Sequence, residues 1–198
     1  MVRPPRNIKK DRLVNPSLFV YSYFIAGLIE TVFCLIAYLW VYWNAGINTN
    51  DLLFTSQTNF FYSSGSNTEF FSNGNAYSAE TQSILLGESR SSYYVTLIFS
   101  QAVHIFNCKS IRTSLFRVKI LQNCSTIYGV LIAIAVGLSF TYIPPFQTFL
   151  QTNSPPWFVW IPWIGSAIFL TLYNEWRKSR MRLPSSCNSD RLKRIFLW

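Results

Sequence analysis

Six polar residues in the apolar stretch 93–108 are spaced so that a helix would place them on one broad face. They are Thr96, Ser100, Gln101, His104, Asn107 and Cys108, opposite Leu97, Ile98, Phe99, Ala102, Val103 and Phe106. A polar stripe on a membrane helix must face other helices or water, because hydrocarbon offers no hydrogen-bond partners. Gln101, His104 and Asn107 could therefore line an ion pathway. The same residue types often hydrogen-bond between helices and hold a bundle together, and the stretch taken by itself favours that alternative.

Glu30 is the only acidic residue well inside an apolar stretch. A carboxyl group within a membrane is costly, so its presence points to a function. It could pair with His104, approach the ion route, or stay protonated within the bundle. The structural alternative is a neutral Glu30 that is hydrogen-bonded between helices, and both interpretations stay open.

Small residues recur every fourth position in the third apolar stretch, at Gly129, Ala133 and Gly137. Such a small-residue face lets another helix approach closely, so we predict that it packs against a neighbour. Gly27, Thr31 and Cys34 form a similar pattern in the first stretch. Neither pattern indicates catalysis.

The sequence has none of the motifs that carry covalent or metal chemistry. It contains no Gly-rich phosphate loop and no nucleophile beside a base. Its one His cannot form a zinc site with four scattered Cys residues. We therefore predict no catalytic residue, no metal site and no cofactor in this segment.

Composition places these residues in a membrane. Of 198 residues, 50% are hydrophobic, 18% aromatic and only 13% charged, which is about half the usual charged fraction of a soluble domain. Four apolar stretches, at about 17–43, 93–108, 121–142 and 157–176, are predicted to cross the bilayer. The predicted fold is an all-α membrane protein with four transmembrane helices.

The basic residues predict the direction of each crossing. Of 17 Lys and Arg residues, all but Arg90 fall within Arg3–Arg12, Lys109–Lys119 and Arg177–Arg194. Short loops that carry Lys and Arg stay in the cytoplasm, so both termini are expected there. The prediction comprises a lead-in 1–16, an exported loop 45–92, a module 17–176 and a basic tail 177–198. The net charge of +9 then suits anionic lipid headgroups rather than nucleic acid.

The predicted exported loop combines Asn, Ser, Thr and Gly with aromatic residues. Its aromatic side chains include Phe54, Phe60, Phe61, Tyr62, Phe70 and Phe71. A disordered linker has few aromatics, so we expect the loop to be partly ordered, packed on itself or on a partner. It contains no Cys, and no disulfide framework is expected in it.

Several motifs, in order along the chain, resemble one family of membrane proteins. These are Met1-x-Arg3-Pro4-Pro5-Arg6, Asp11-Arg12-Leu13-Val14, Gly27-Leu28-Ile29-Glu30, Cys108-Lys109-Ser110-x-Arg112-x-Ser114-x-Phe116, Pro162, and Tyr173-Asn174-Glu175-x-Arg177-Lys178. They resemble the C-terminal membrane region of P-type cation-transporting ATPases, in the branch of sodium/potassium and proton/potassium pumps. The resemblance is weak only in the predicted exported loop and at the end of the tail.

The resemblance implies that the four helices are the seventh to tenth of a ten-span pump. They would scaffold the ion-binding helices and line part of the ion path. Gln101 and His104 fall on eighth-span positions that coordinate ions or surround them in the family. Sodium pumps have an acid where this chain has His104, and acids on the ninth span where it has Val130 and Leu131. The resemblance therefore does not imply a third sodium site.

The resemblance also bears on cofactors and partners. The phosphorylation motif Asp-Lys-Thr-Gly-Thr is missing from the sequence. ATP and magnesium would bind domains outside this segment, and the chain would neither hydrolyse ATP nor pump alone. Expected partners are membrane lipids, the remaining spans of the pump and a monovalent cation, in the plasma membrane. The Ser-Tyr-Gly-Gln segment that contacts a beta subunit in animal sodium pumps is missing, so no beta-type subunit is implied.

Two further interpretations accompany this one. Met1 coincides with a Met that is usually internal in the family, so we expect a fragment or a truncated gene model. A stand-alone four-span membrane protein, with an interaction or regulatory role, is the alternative. A relic without function is disfavoured by the intact spans and the orderly charges.

Overall fold

The computed structural model describes residues 20–53, 55, 59–61, 63–109, 114 and 124–182. The predicted lead-in 1–16, most of the basic loop 109–119 and most of the tail 177–198 lie outside the described residues.

Helices make up most of the described chain, in agreement with the predicted class. A π-helical segment, Val20–Ala26, continues into α1 (Gly27–Asn44), and a single turn follows as α2 (Thr49–Leu52). After a 3₁₀ turn at Ser64–Ser66 come β1 (Phe70–Ser72) and β2 (Asn75–Tyr77). The rest comprises α3 (Ala79–Cys108), α4 (Cys124–Tyr142), α5 (Pro144–Leu150), a 3₁₀ turn at Trp157–Val159, and α6 (Trp160–Arg182).

Three helical segments in the described part of the chain are long and apolar enough to cross a membrane. They are Val20–Asn44, Cys124–Tyr142 and Trp157–Arg180. Their outward-facing side chains are large and apolar, for example Leu28, Ile132 and Leu172, each more than 60% exposed. Surfaces of this kind suit lipid or further membrane helices rather than water. The second predicted span, 93–108, lies within α3, which is too polar to be counted with these three.

α3 begins much earlier than the sequence pattern predicted. It starts at Ala79, inside the predicted loop 45–92, where the Ser78 hydroxyl accepts a hydrogen bond from the Thr81 backbone N–H and caps the helix. Leu85 and Leu86, in the second turn of the helix, are buried. At 1.5 Å per residue its 30 residues extend about 45 Å, well beyond the roughly 30 Å of bilayer hydrocarbon.

α3 is the central helix, packed against α1, α4 and α6. Six of its buried polar residues are spaced three, four or seven positions apart and form one stripe, which we call the polar seam: Gln82, Ser89, Ser92, Thr96, Ser100 and Asn107. The Ser92 hydroxyl donates to the Ala37 carbonyl oxygen of α1 at 2.7 Å. The hydroxyls of Ser100 and Ser166 lie 2.7 Å apart and join α3 to α6. The seam thus connects the helices by hydrogen bonds.

The region after α1 is ordered in part and packs on itself, as its aromatic content predicted. β1 and β2 form an antiparallel hairpin whose turn residues Asn73 and Gly74 have φ of 50° and 82°. Two left-handed residues at a two-residue turn match the twist of the strands, and Asn-Gly favours that geometry. The hairpin covers one end of the bundle through a core of Val41, Tyr42, Ile47, Phe70, Tyr77, Leu85, Val95 and Val159.

Gln82, the first residue of the polar seam, fastens this region to α3. Its side chain is fully buried, and its Nε2 donates to the carbonyl oxygens of Thr68 and Tyr77 at 2.7 and 3.0 Å. Its Oε1 accepts from the Phe60 backbone N–H at 3.1 Å. One amide therefore satisfies three backbone groups in a segment with little regular structure.

α5 lies within residues 143–156, between the third and fourth predicted spans. Pro144 and Pro145 occupy the first helical turn, where the missing N–H groups would have had no partner within the helix. Gln151, the C-cap residue that follows the helix, has φ of 54°. A proline pair thus starts a helix here.

The predicted small-residue face of α4 is only partly turned toward the bundle. Gly137 is buried, and a Cβ built on it would lie 2.2 Å from Ile98 Cδ1 of α3. Gly129 and Ala133 are exposed, and among the described residues no atom lies within 4 Å of a Cβ at Gly129. Within this chain the close approach of α4 to α3 therefore depends on Gly137.

We predict that Gly137→Ala destabilises the bundle, because Ile98 must move to make room for the new methyl group. Overpacking of this kind costs about 1–3 kcal/mol. Gly129→Ala is the matched control, since it gives the same gain in helix propensity in open space. Thermal unfolding of both variants in lipid nanodiscs measures the difference, and equal midpoints would contradict the prediction.

Candidate functional site

The predicted polar stripe of α3 divides into two sets. Thr96, Ser100 and Asn107 are buried in the polar seam. Gln101 and Cys108 are exposed at the edge of the bundle, and His104 between them is half-buried. The second set runs along one side at helical spacings of three and four residues, so the two sets have different surroundings.

Gln101 contacts the acidic residue that the sequence analysis singled out. Its Nε2 donates a hydrogen bond to Glu30 Oε2 of α1. Glu30 is only 3% exposed, and its Oε1 has no hydrogen-bond partner among the described residues. His104 was the partner considered for Glu30 from the sequence, and the structure instead gives it a hydrogen bond from Gln101.

His104 lies near the start of the first helical segment and the end of α3. Its Nε2 is 3.5 Å from Cys108 Sγ, and its ring centroid is 6.3 Å from that of Tyr21. Its Nδ1 is buried and makes no hydrogen bond to the described residues. One ring nitrogen is thus available for a proton or a further partner.

Asn107 is a residue of the polar seam rather than of the exposed edge. It is fully buried, and its Nδ2 lies 3.4 Å from the Thr171 hydroxyl oxygen of α6. Its Oδ1 has no hydrogen-bond partner in the described part of the chain. The long Nδ2 contact joins α3 to α6, which is what the packing interpretation expects.

A second polar cluster, which the sequence analysis missed, surrounds the end of α6. The Tyr21 hydroxyl donates to Asn174 Oδ1, and Asn174 Nδ2 donates to the Leu170 carbonyl oxygen at 2.9 Å. The Arg177 guanidinium carbon lies 3.9 Å from the centroid of the Tyr21 ring, a cation–π contact. Ser166 and Asn174 are eight residues apart and so share a helix face, a signal that could have been found in the sequence.

Lys178 belongs to the same end of the bundle. Its side chain is fully buried, with Nζ 3.7 Å from Glu175 Oε1. Buried cations are retained where they are paired, so Glu175 contributes a compensating charge. This pair lies within α6, whereas Asn174 and Arg177 of the same motif, Tyr173-Asn174-Glu175-x-Arg177-Lys178, contact Tyr21 in the segment before α1.

A separate cavity opens at the other end of the bundle. It has a volume of about 350 Å³ and is lined by Leu35, Tyr38, Arg90, Tyr93, Tyr94, Leu150 and Thr152. The Arg90 guanidinium donates to Gln151 Oε1 at 2.9 Å, which fixes α5 against α3. This cavity does not contain Gln101, His104, Asn107 or Glu30.

The polar side chains at these sites supply hydrogen-bond donors and acceptors. In the described residues no three His, Cys, Asp or Glu side chains lie together in a way that could hold a metal ion. Glu30, Gln101 and Asn107 offer oxygen acceptors, and His104 offers a ring nitrogen. Such groups can bind a cation or a proton, or connect helices.

Comparison with known proteins shows extensive similarity. Residues 1–180 match the family model described as "Cation transporting ATPase, C-terminus". The chain is 27% identical over 186 residues to potassium-transporting ATPase alpha chain 2 of Rattus norvegicus, covering 92% of this chain and 18% of that protein. It is 25% identical over 189 residues to sodium/potassium-transporting ATPase subunit alpha-4 of the same species, covering 92% and 17%. The chain thus spans less than a fifth of the length of these curated relatives.

We predict that Tyr21→Phe destabilises the end of α6, because it leaves Asn174 Oδ1 buried without its donor. An unsatisfied buried polar group costs about 1–3 kcal/mol. Tyr128→Phe is the control, since Tyr128 is 65% exposed on α4. Hydrogen exchange of the α6 backbone amides in nanodiscs reports the difference. Equal protection in the two variants would show that the Tyr21–Asn174 bond contributes little.

Proposed function

Because this chain belongs to the family of cation-transporting ATPases, matched through that family's C-terminal region, we propose that it forms the seventh to tenth transmembrane helices of a cation pump. It is an integral multi-pass membrane protein, and a plasma-membrane location fits the pump family. Its role would be to scaffold the ion-binding helices and to line part of the ion path.

The proposed topology has four crossings and both termini in the cytoplasm. α3 is the crossing that needs explanation, since its sequence is polar. The polar side chains of its seam are buried in the bundle, where Ser92 and Ser100 hydrogen-bond to α1 and α6. A helix whose polar groups are satisfied by its neighbours can lie in hydrocarbon. The clustering of Lys and Arg supports the direction of each crossing.

The contact between Glu30 and Gln101 is the observation on which the ion-path proposal depends. It joins α1 to α3 beside an exposed edge of the bundle, where the remaining helices of a pump would pack. We assign Glu30, Gln101, His104 and Asn107 to the surroundings of a monovalent cation path. The relatives are named as potassium- and sodium/potassium-transporting ATPases, which supports this class of substrate.

Coupling to ATP would come from outside this segment. The sequence contains no Asp-Lys-Thr-Gly-Thr motif on which an aspartyl phosphate could form. ATP and magnesium would bind other domains of the pump, and this chain alone would not hydrolyse ATP. Its partners would be the remaining pump helices and membrane lipids, with no beta-type subunit assigned.

A stand-alone membrane interaction protein is the second candidate. The exposed apolar face of α4, with Tyr128, Leu131, Ile132 and Val136, favours it, because such a face can pack against another protein's helices. The ordered hairpin at the end of the bundle would add a rigid surface outside the membrane.

The size of the native protein distinguishes the two candidates. We expect an antibody raised against residues 185–198 to detect, in native membranes, a band of the size of a complete ten-span pump. A band near 23.0 kDa would instead establish a separate small protein and would exclude ATP-driven pumping by that product. Preabsorption of the antibody with the peptide is the control.

In a complete pump that carries this region, we predict that His104→Ala changes cation affinity more than protein abundance. The physical reason is that the buried Nδ1 of His104 has no partner within the described bundle. Ile105→Ala, at the next and exposed apolar position, is the matched control. Cation dependence of ATP hydrolysis and quantitative blots provide the two readouts. A loss of abundance alone would favour the packing interpretation.

A further inference from the structure

The pairing of a buried acid with an exposed amide suggests a specific role for Glu30. We propose that Glu30 is a positioning residue, which holds the Gln101 side chain with its carbonyl oxygen turned away from α1, toward the space beside the bundle. This inference rests on the proposed function, since that space would be the cation path of a complete pump.

The argument begins with the two ends of an amide. A glutamine side chain has an NH₂ group that only donates and an oxygen that only accepts. Gln101 Nε2 donates to Glu30 Oε2, so the NH₂ end faces α1. The carbonyl oxygen of the same planar group must then point to another side. Gln101 is exposed at the edge of α3, so this oxygen is presented outside the described bundle.

The surroundings of Glu30 give the bond few competitors. Thr31, the next residue on α1, donates its hydroxyl to the Gly27 carbonyl oxygen at 2.8 Å. Cys34, one turn further on, is fully buried. The second oxygen of Glu30 has no hydrogen-bond partner in the described part of the chain. Gln101 therefore satisfies one of the two oxygens of the buried carboxyl group.

Losing this bond would change what the edge of α3 presents. A buried acceptor in a low-dielectric environment holds its donor firmly, because leaving it unsatisfied is costly. Without Glu30, the Gln101 amide could rotate and present its NH₂ group to the same space. An oriented carbonyl oxygen can replace part of the hydration shell of a monovalent cation, whereas an NH₂ group repels it. Glu30 would thus determine whether Gln101 favours or disfavours a cation.

The test measures the Gln101 amide directly, in the full chain reconstituted in lipid nanodiscs with ¹⁵N-labelled glutamine. Gln101→Leu identifies its signal by difference. We expect Glu30→Leu to speed hydrogen exchange of the Gln101 side-chain NH₂ group by about tenfold or more, as expected for loss of a buried hydrogen bond. Glu30→Gln keeps an acceptor oxygen and should restore slow exchange. Backbone exchange of α3 should stay unchanged in both variants.

Unchanged side-chain exchange in Glu30→Leu, or equally fast exchange in both variants, would overturn the proposal. If Glu30→Leu does not fold, a measurement on the wild-type chain tests the proposal instead. A ¹³C–¹⁵N dipolar coupling between the Glu30 carboxyl carbon and Gln101 Nε2 supports the pairing, and its absence refutes it. Both measurements observe side chains rather than transport. A failure of the pump assignment, detected by the blot, would therefore be distinguishable from a failure of this inference.

Discussion

The arrangement of this bundle depends on one requirement: the polar groups of α3 need hydrogen-bond partners that lipid cannot supply. α3 lies between α1, α4 and α6, and its seam residues Ser92 and Ser100 bond to α1 and α6. The more apolar helices can then occupy the periphery, with Leu28, Ile132 and Leu172 facing outward. This order is the reverse of that in a soluble protein, since here the helix with many buried polar side chains is the innermost one.

The same requirement separates structural polar residues from candidate functional ones. Ser100 is fully buried, and Ser166 satisfies it across the α3–α6 contact. Gln101 is the next residue, yet its side chain lies at the exposed edge and its NH₂ group is bound by Glu30. A rotation of about 100° between consecutive helical residues accounts for the difference. Adjacent positions on one helix can therefore serve packing and binding separately.

The sequence predicted the helical class and three of the apolar helices, because long apolar stretches are local features. The role of Glu30 stays a prediction. The sequence did not predict that α3 begins at Ala79, since residues 79–92 are neither apolar nor strongly periodic, and their helix depends on the Ser78 cap and on packing of Leu85. The pairing of Glu30 with Gln101 joins positions 71 residues apart, and that of Tyr21 with Asn174 joins positions 153 apart. Such contacts depend on how the helices are arranged, which a single sequence does not specify.

The unbroken length of α3 has a mechanical consequence. Gln82 connects the hairpin region to the first turns of α3 by hydrogen bonds. Gln101 lies about 29 Å further along α3, at 1.5 Å per residue. No proline interrupts the helix between the two points. Displacement of the hairpin by a ligand or an antibody would therefore tilt α3 as a rigid unit, because no proline kink lies between the two points. The tilt would move Gln101 relative to Glu30.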